Sequence, residues 1–393
     1  MKWRAKHMRI LHLNVAGIVD KFYDTFFEHL RKSGNIDQIE YIAYKPGENK
    51  KEELDRFQNY HENIKVILSP IKRSIYRVMY FLKIRKYFLD IEGKINSIKS
   101  IDVLHAHSLF SDGGVAYYLK KKYNIPYVVA VRITDVDVFL KYFFHLRPFM
   151  KKILLNASKI IFLSPNIKKS IIDNLGNDAI KNNIIGKSEI IPNAVDNFWL
   201  KNHYYKEDNL QPELNLIQVG KLNKGKNPKT TILAVSELVN RGYDVKVDFV
   251  GEGQELNNLK KLVHELNLED NVKFHGFIKD KSVLMNLYRK ANFFILPSYF
   301  ETFGISYIEA MSQGLPVIYS RNQGIDGYFE EGEVGVSINP SSQSEICDAV
   351  LHLQKSYNDI SKRCTSNALS FDWEDLSIKY IEIYSKIIKD KLS

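Results

Sequence analysis

Residues 292–320 read NFFILPSYFETFGISYIEAMSQGLPVIYS, and their order decides the fold. An uncharged apolar run, 292–296, reads as a buried strand and ends at Pro297. A short loop follows, then a helical pattern over 305–313, which Gly314 and Pro316 stop. A second buried strand is expected over 315–319. Working outward in the C-terminal half, further strands are expected at 215–219, 244–250, 272–277 and 334–338. Helices are expected between them at 228–241, 254–266 and 281–290. Asn227-Pro228 reads as a helix cap followed by the first helical residue, and Gly242 closes that helix. Strands alternating with helices of about 10–15 residues imply a parallel sheet with helices on both faces.

The N-terminal half follows the same grammar. Strands are expected at 9–13, 38–44, 65–68, 102–105, 127–131, 160–163 and 189–191. Helices are expected at 20–32, 74–95, 114–122, 138–155 and 166–175. The fold class is therefore α/β, with two open, doubly wound domains and a polar linker within 196–214. In such sheets ligands bind beyond the carboxyl ends of the strands, so two facing domains would hold the site in a cleft. Trp373, Leu376, Tyr380, Ile383 and Ile387 recur three or four residues apart, so 373–392 reads as an amphipathic helix.

Composition narrows the class. The 393 residues are 45% hydrophobic, 26% charged and 12% aromatic, which excludes disordered, collagen-like and coiled-coil chains. No apolar stretch reaches the ~18 residues that a membrane-spanning helix needs. Two cysteines, Cys347 and Cys364, argue against a disulfide framework or structural zinc and fit a reducing cytoplasm. Charge is uneven. Residues 1–200 hold 33 Lys+Arg and 20 Asp+Glu, a net +13, whereas 201–393 hold 23 and 26, a net −3. A basic half points to nucleic acid, anionic lipid or an anionic substrate. No recognised nucleic-acid motif accompanies it, and its charges are interleaved with core-type residues.

Two loops carry the chemistry. Glu301 falls in the loop after the first strand quoted above, and Gly304 opens the helix, so the amides of Phe303, Gly304 and Ile305 form an anion site. Glu309 lies about one turn into that helix, where a carboxylate can accept from paired hydroxyls such as those of a ribose. The second loop, Val219-Gly220-Lys221-Leu222-Asn223-Lys224-Gly225-Lys226, joins a strand to a helix and offers lysines to a phosphate. It lacks the spacing of a P-loop.

These residues resemble the retaining glycosyltransferases of glycosyltransferase family 4, of the type found in bacterial surface-polysaccharide synthesis. The resemblance covers most of the second half and is weaker over the first. Glu301 and Glu309 match the family's Glu-x7-Glu motif, and Gly220-Lys221-Leu222 with Lys226 match its Gly-Arg-Leu…Lys loop, Lys221 replacing the arginine. Smaller matches are Val250-Gly251-Glu252-Gly253, Leu296-Pro297-Ser298, Val272-Lys273-Phe274-His275-Gly276 and Pro192-Asn193-Ala194-Val195-Asp196, in which Ala194 replaces a glycine. Asp102-Val103-Leu104-His105-Ala106-His107 resembles the family's Asp-Val-x-His-x-His strand end. Arg132-Ile133-Thr134-Asp135 stands where a His-Gly-x-Asp element is common, and arginine cannot serve as a base at neutral pH.

The resemblance implies a GT-B fold: an acceptor-side domain over 1–203, a nucleotide-sugar domain over 204–372, and a last helix over 373–393 returning to the first domain. It implies transfer of a sugar, with retention, from a nucleoside diphosphate sugar to a hydroxyl of a glycan or lipid-linked acceptor. A UDP-sugar is the expected co-substrate, with no other cofactor and no metal. Glu301, His107, Arg132 and Asp135 are the implied catalytic set. Lys221, Lys226, Phe303, Gly304, Ile305, Glu309, Gly17, Gly220 and Phe277 are the implied donor-binding set. Ala16 in the loop that contains Gly17 replaces an expected glycine. The basic, aromatic stretch from Ile71 to Tyr87, and a second over 141–152, suit an anionic membrane surface, so a cytoplasmic protein peripheral to the inner face of the cell membrane is expected. Arg132 and Ala16 leave open a catalytically degenerate nucleotide-sugar-binding partner, and a nucleotide-sugar epimerase of related fold is a further alternative.

Overall fold

The computed structural model describes residues 8–15, 21–33, 36–44, 64–70, 79–95, 97–206 and 213–392. The first sheet holds β1 (Met8–Asn14), β2 (Ile36–Tyr44), β3 (Ile64–Pro70), β4 (Val103–Ala106), β5 (Tyr127–Val131), β6 (Lys159–Phe162) and β7 (Ser188–Ile190). They lie in the order β3-β2-β1-β4-β5-β6-β7. The second sheet holds β8 (Leu214–Val219), β9 (Val245–Val250), β10 (Val272–Phe274), β11 (Phe293–Leu296), β12 (Val317–Ser320) and β13 (Gly335–Ile338), in the order β10-β9-β8-β11-β12-β13. Every pairing is parallel.

The strands read as continuous apolar runs because both sheet faces are covered. All of β4, β5, β11 and β12 is buried. Strand order reverses between β1 and β4 in one sheet and between β8 and β11 in the other. At such switch points the connecting loops part and leave a crevice beyond the strand ends.

The chain divides into two compact units. One is Met1–Leu163, Ile167–Ile191 and Trp373–Ser393; the other is Ser164–Asn166 and Pro192–Asp372. The last helix, Trp373–Leu392, is part of the first unit, where Trp373, Leu376, Tyr380, Ile383, Tyr384 and Ile387 are buried.

Three details differ from the sequence reading. The helix expected over 138–155 is broken into a π-helical turn, Asp135–Leu140, a 3-10 turn, Phe144–Leu146, and a helix, Arg147–Asn156. Pro148 sits in that helix's first turn, the one place where its missing N–H costs nothing. A further helix, Asp178–Gly186, starts at Asn177, whose side chain accepts from the amides of Ala179 (2.8 Å) and Ile180 (3.3 Å). Asn227 does precede a helix, Pro228–Asn240, yet it does not accept from that helix's amides. It takes a left-handed φ of 52°, donates to the Pro340 carbonyl at 2.6 Å and accepts from Thr230 Oγ1 at 2.9 Å. Of the stretch from Ile71 to Tyr87, residues 71–78 lie outside the described residues, and Tyr80, Ile84 and Tyr87 are buried in the core.

Candidate active site

In the second unit the site is assembled where β8 and β11 end. The basic loop after β8 is shaped by Asn223, whose side chain accepts from the Lys226 amide at 2.9 Å. Gln218, buried on β8, donates to the Lys226 carbonyl at 3.0 Å and is itself held by Thr231 Oγ1 at 2.7 Å. The loop after β11 joins it through the Tyr299 amide, which donates to the Gly225 carbonyl at 2.8 Å. Lys226 Nζ is thereby brought into an ion pair with Glu301.

Glu301 is 9% exposed, yet its backbone and side chain are both satisfied. Its amide donates to Gln323 Oε1 at 3.0 Å, and its carbonyl accepts from the Gly324 amide at 2.9 Å. Pairing and hydrogen bonds of this kind offset the cost of burying a carboxylate.

Gly304 has φ 83°, and a Cβ there would lie 2.4 Å from the Tyr307 ring, so only glycine fits the turn into the helix Ile305–Ser312. Tyr307 in turn donates to the Leu296 carbonyl at 2.8 Å, tying that helix to the end of β11. The Tyr307 amide bonds back to the Gly304 carbonyl at 2.9 Å, while the amides of Ile305 and Ser306 ahead of it have no carbonyl within the helix to bond to and carry the positive end of its dipole. The Phe303 ring is 1% exposed and belongs to the core, so only its backbone is available to a ligand.

The loop after β9 closes against the basic loop. Gly220 and Leu222 donate from their amides to the carbonyls of Val250 and Glu252, each at 2.9 Å. A Cβ on Gly253 would lie 2.1 Å from the Leu222 carbonyl oxygen, so this approach requires glycine. Lys221 is exposed on that loop. Phe277, 70% exposed, stands beyond β10, two strands along from β8.

Glu309 faces a different environment. Burial pushes its carboxyl up to about 7, against the pull of hydrogen bonds from Tyr288 and Trp199 and of nearby Lys281. The Tyr288 hydroxyl lies 3.4 Å from Glu309 Oε2. Tyr288, Trp199 and Gln323 were not singled out from the sequence; their spacing to the glutamates carries no periodic signal, and only the packing brings them in.

In the first unit the corresponding switch point, β1 against β4, holds three buried histidines. His12 on β1 lies in register with His105 on β4, and His107 follows two residues later. His12 Nδ1 is 3.1 Å from His107 Nε2, and His105 Nδ1 is 2.6 Å from the Tyr384 hydroxyl. The His105 and His107 rings stack at 4.2 Å with 24° between their planes. Burial holds all three below the ordinary histidine range, His12 down to about 3, so they are neutral at pH 7. Ring nitrogens of the three lie within 4.8 Å of one another. Stacked imidazoles direct their in-plane lone pairs side by side rather than towards one point, so the geometry suits a hydrogen-bonded stack better than a tetrahedral ion.

Asp135 is 1% exposed and accepts from three amides: Arg132 at 2.8 Å, Leu109 at 2.9 Å and Phe110 at 3.2 Å. It therefore acts as a clamp that fixes the turn after β5 to the loop after β4. Arg132 Nε donates to the His107 carbonyl at 2.9 Å, so the cation sits directly beside the stack. Asp112, pushed up to about 7 by burial, accepts from the Val15 amide at 2.8 Å and anchors the end of β1. Gly17 lies outside the described residues.

Two family models account for nearly all of this architecture. "Glycosyltransferase Family 4" matches residues 22–197 and "Glycosyl transferases group 1" matches residues 205–370. The chain belongs to glycosyltransferase family 4, with the GT-B fold. This glycosyltransferase is 25% identical to an uncharacterized glycosyltransferase of Methanocaldococcus jannaschii, over 84% of this chain and 87% of that one. It is 24% identical to the alpha-monoglucosyldiacylglycerol synthase of Acholeplasma laidlawii, over 77% of each chain. The structure of Anabaena HepE in complex with UDP superposes with a TM-score of 0.70 at 16% identity, over 96% of this chain and 100% of that one.

Proposed function

We propose that this glycosyltransferase moves a sugar from a nucleoside diphosphate, UDP first among the candidates, to a hydroxyl of a glycan or lipid-linked acceptor, with retention of anomeric configuration. The observation that carries the reading is the Lys226–Glu301 pair, held at the β8/β11 switch point beside the amides of Gly304 and Ile305. The second unit takes the donor and the first the acceptor.

Lys226, Lys221 and the helix amides supply preorganised positive charge where the diphosphate leaves, without a metal. Glu301 accepts from hydroxyls of the donor sugar, and Glu309 from those of the ribose. Phe277 and Gly17 complete the donor contacts. The bond from the anomeric carbon to the phosphate oxygen breaks as the acceptor oxygen bonds to the same face, and the acceptor's proton passes to the departing phosphate. His107 and Arg132 serve the acceptor as a neutral hydrogen-bond partner and a fixed cation, and Asp135 positions both. The bound UDP in the HepE structure and the lipid product named for the Acholeplasma relative support these choices.

A lipid-linked acceptor, as in surface-polysaccharide synthesis, fits the first unit's surface. Phe81, Leu82, Tyr142 and Phe144 are exposed, Phe144 by 68%, and Arg85, Lys86 and Lys141 stand among them. Among the described residues no helix is long and apolar enough to cross a membrane, so this face would bind an anionic bilayer from outside.

Calorimetry with UDP, GDP and ADP, without divalent metal, on the wild type and Glu309→Ala tests the donor site. One nucleotide is expected to bind and the variant to lose about 1–3 kcal/mol of that affinity. Binding of none, with or without magnesium, would leave the motif without a donor and favour a degenerate protein. Sedimentation with phosphatidylglycerol vesicles, compared with phosphatidylcholine vesicles, tests the surface: Tyr142→Glu with Phe144→Glu should abolish binding to the former.

A further inference from the structure

We propose that Tyr384, brought into the first unit by the last helix, is a positioning residue for His107. This inference rests on the role given to His107 above. The Tyr384 hydroxyl is fully buried, and the His105 Nδ1 contact at 2.6 Å is its one hydrogen bond among the described residues. If the hydroxyl accepted from Nδ1, its own proton and the bare His105 Nε2 would both be stranded. If it donates, the N–H at Nε2 and the hydroxyl's lone pairs are left without partners, and His105 Nε2 is such an orphan. Both arrangements strand one donor and one acceptor, so the stronger bond decides: a phenol is a better donor than acceptor, and an imidazole lone pair accepts better than a phenol oxygen. Tyr384 therefore selects the tautomer of His105 that carries its proton on Nε2.

That proton faces a closed environment. His105 stacks on His107 at 4.2 Å and on the Tyr380 ring at 5.4 Å, and His12 stands 5.3 Å from both histidines. The orphan at His12 decides the remaining bond. His12 Nε2 also has no partner, and a stranded acceptor costs less than a stranded donor, so His12 Nδ1 donates to His107 Nε2. His107 then keeps its proton on Nδ1, and its Nε2 lone pair is already used. It meets a substrate as a neutral donor rather than as a base. β1 sets the proton of His107 through His12, and the last helix sets, through Tyr384, the proton and orientation of the His105 ring on which His107 is stacked. Phe26 from the helix Lys21–Ser33 packs edge-on to both His105 and His107 and leaves the stack little room to turn.

Tyr384→Phe removes one oxygen and keeps the ring. In protein labelled with 15N-histidine, the expected result is a loss of the single-tautomer pattern at His105 together with a change in the ring nitrogens of His107. In turnover, kcat should fall about tenfold with the donor KM unchanged, as for a small misplacement of a reacting group. Tyr380→Phe, which keeps the ring that stacks on His105, should leave the His107 signals in place. Unchanged His107 nitrogens in Tyr384→Phe would overturn the proposal whatever happens to kcat, and so would equal changes in both tyrosine variants, which would point to packing alone. Should Tyr384→Phe not fold, His105→Gln replaces it and is expected to release His107 in the same way. The nitrogen signals need no donor, so a failure to find turnover would count against the transferase reading and not against this one.

Discussion

The two sheets end in switch points of the same topology and opposite electrostatics. At β8/β11 the Glu301 carboxylate and the Lys226 ammonium are each other's partners, and the surrounding loops satisfy the Glu301 backbone on both sides. At β1/β4 burial keeps three imidazoles neutral: among the described residues no acidic group is paired with them, and Arg132 stands beside them. The same topology thus holds an ion pair in one unit and an uncharged hydrogen-bonded stack in the other. What differs is whether a buried ionisable group meets a counter-charge.

Acid should separate the two most strongly. The histidines have folded values below their unfolded 6.5, so the stability tied to their neutrality is present above pH 6.5 and is lost as pH falls below it. Asp112, with its folded value raised to about 7, and Asp135 and Asp137, also raised by burial, hold protons in part of that range and offset part of this loss. Stability of the first unit should therefore fall as pH drops below 6.5, by about 1.4 kcal/mol per pH unit for each net proton the unfolded chain takes up. Calorimetric unfolding should show the first unit melting earlier at pH 5 than at pH 7.5, and His12→Phe should flatten that dependence. A pH-independent first transition would remove the electrostatic contrast.

Next in size is the charged site itself. Glu301→Gln should lower kcat about 100-fold, a scale typical of losing a group that stabilises developing charge. Steady-state rates with the nucleotide sugar found by calorimetry would check it. Activity within a few-fold of wild type would place the chemistry elsewhere.

Glu309 sharpens the comparison inside the second unit, because it is buried without a full counter-charge and behaves more like the histidines than like Glu301. Its folded value is raised from 4.5 to about 7, so its protonated form favours the folded state below pH 4.5, and that advantage is lost as pH rises to 7. Glu309→Gln should therefore gain stability relative to wild type as pH goes from 5 to 8, by up to about 3 kcal/mol. Equal melting temperatures at both pH values would show that the carboxyl is ionised at no cost. The smallest change is expected at Lys221, which is exposed. Lys221→Ala should weaken diphosphate binding by about 1 kcal/mol or less at physiological salt, and titration at two salt concentrations would reveal it.

Much of this protein was legible in its sequence. Apolar runs alternating with helical patterns determine parallel sheets, because strands covered on both faces admit little else. Glu301, Gly304 and Glu309 are close in sequence, so one strand, one loop and one helix bring them to the same strand end, and local geometry alone suffices. The helix predicted over 138–155 failed because tertiary bonds intervene: the Asp135 carboxylate binds amides of another loop, and Pro148 can only begin a helix. The histidine site was the least legible part. His107 alone was singled out, since His12 and Tyr384 lie at opposite ends of the chain and carry no shared spacing. Only strand register sets His12 beside His105, and only the docking of the last helix delivers Tyr384. Whether a histidine is charged depends on what is packed around it. Sequence determined which residues could hold a proton or a charge; the tertiary structure decided which of them do, because desolvation and partners exist only once the chain has folded.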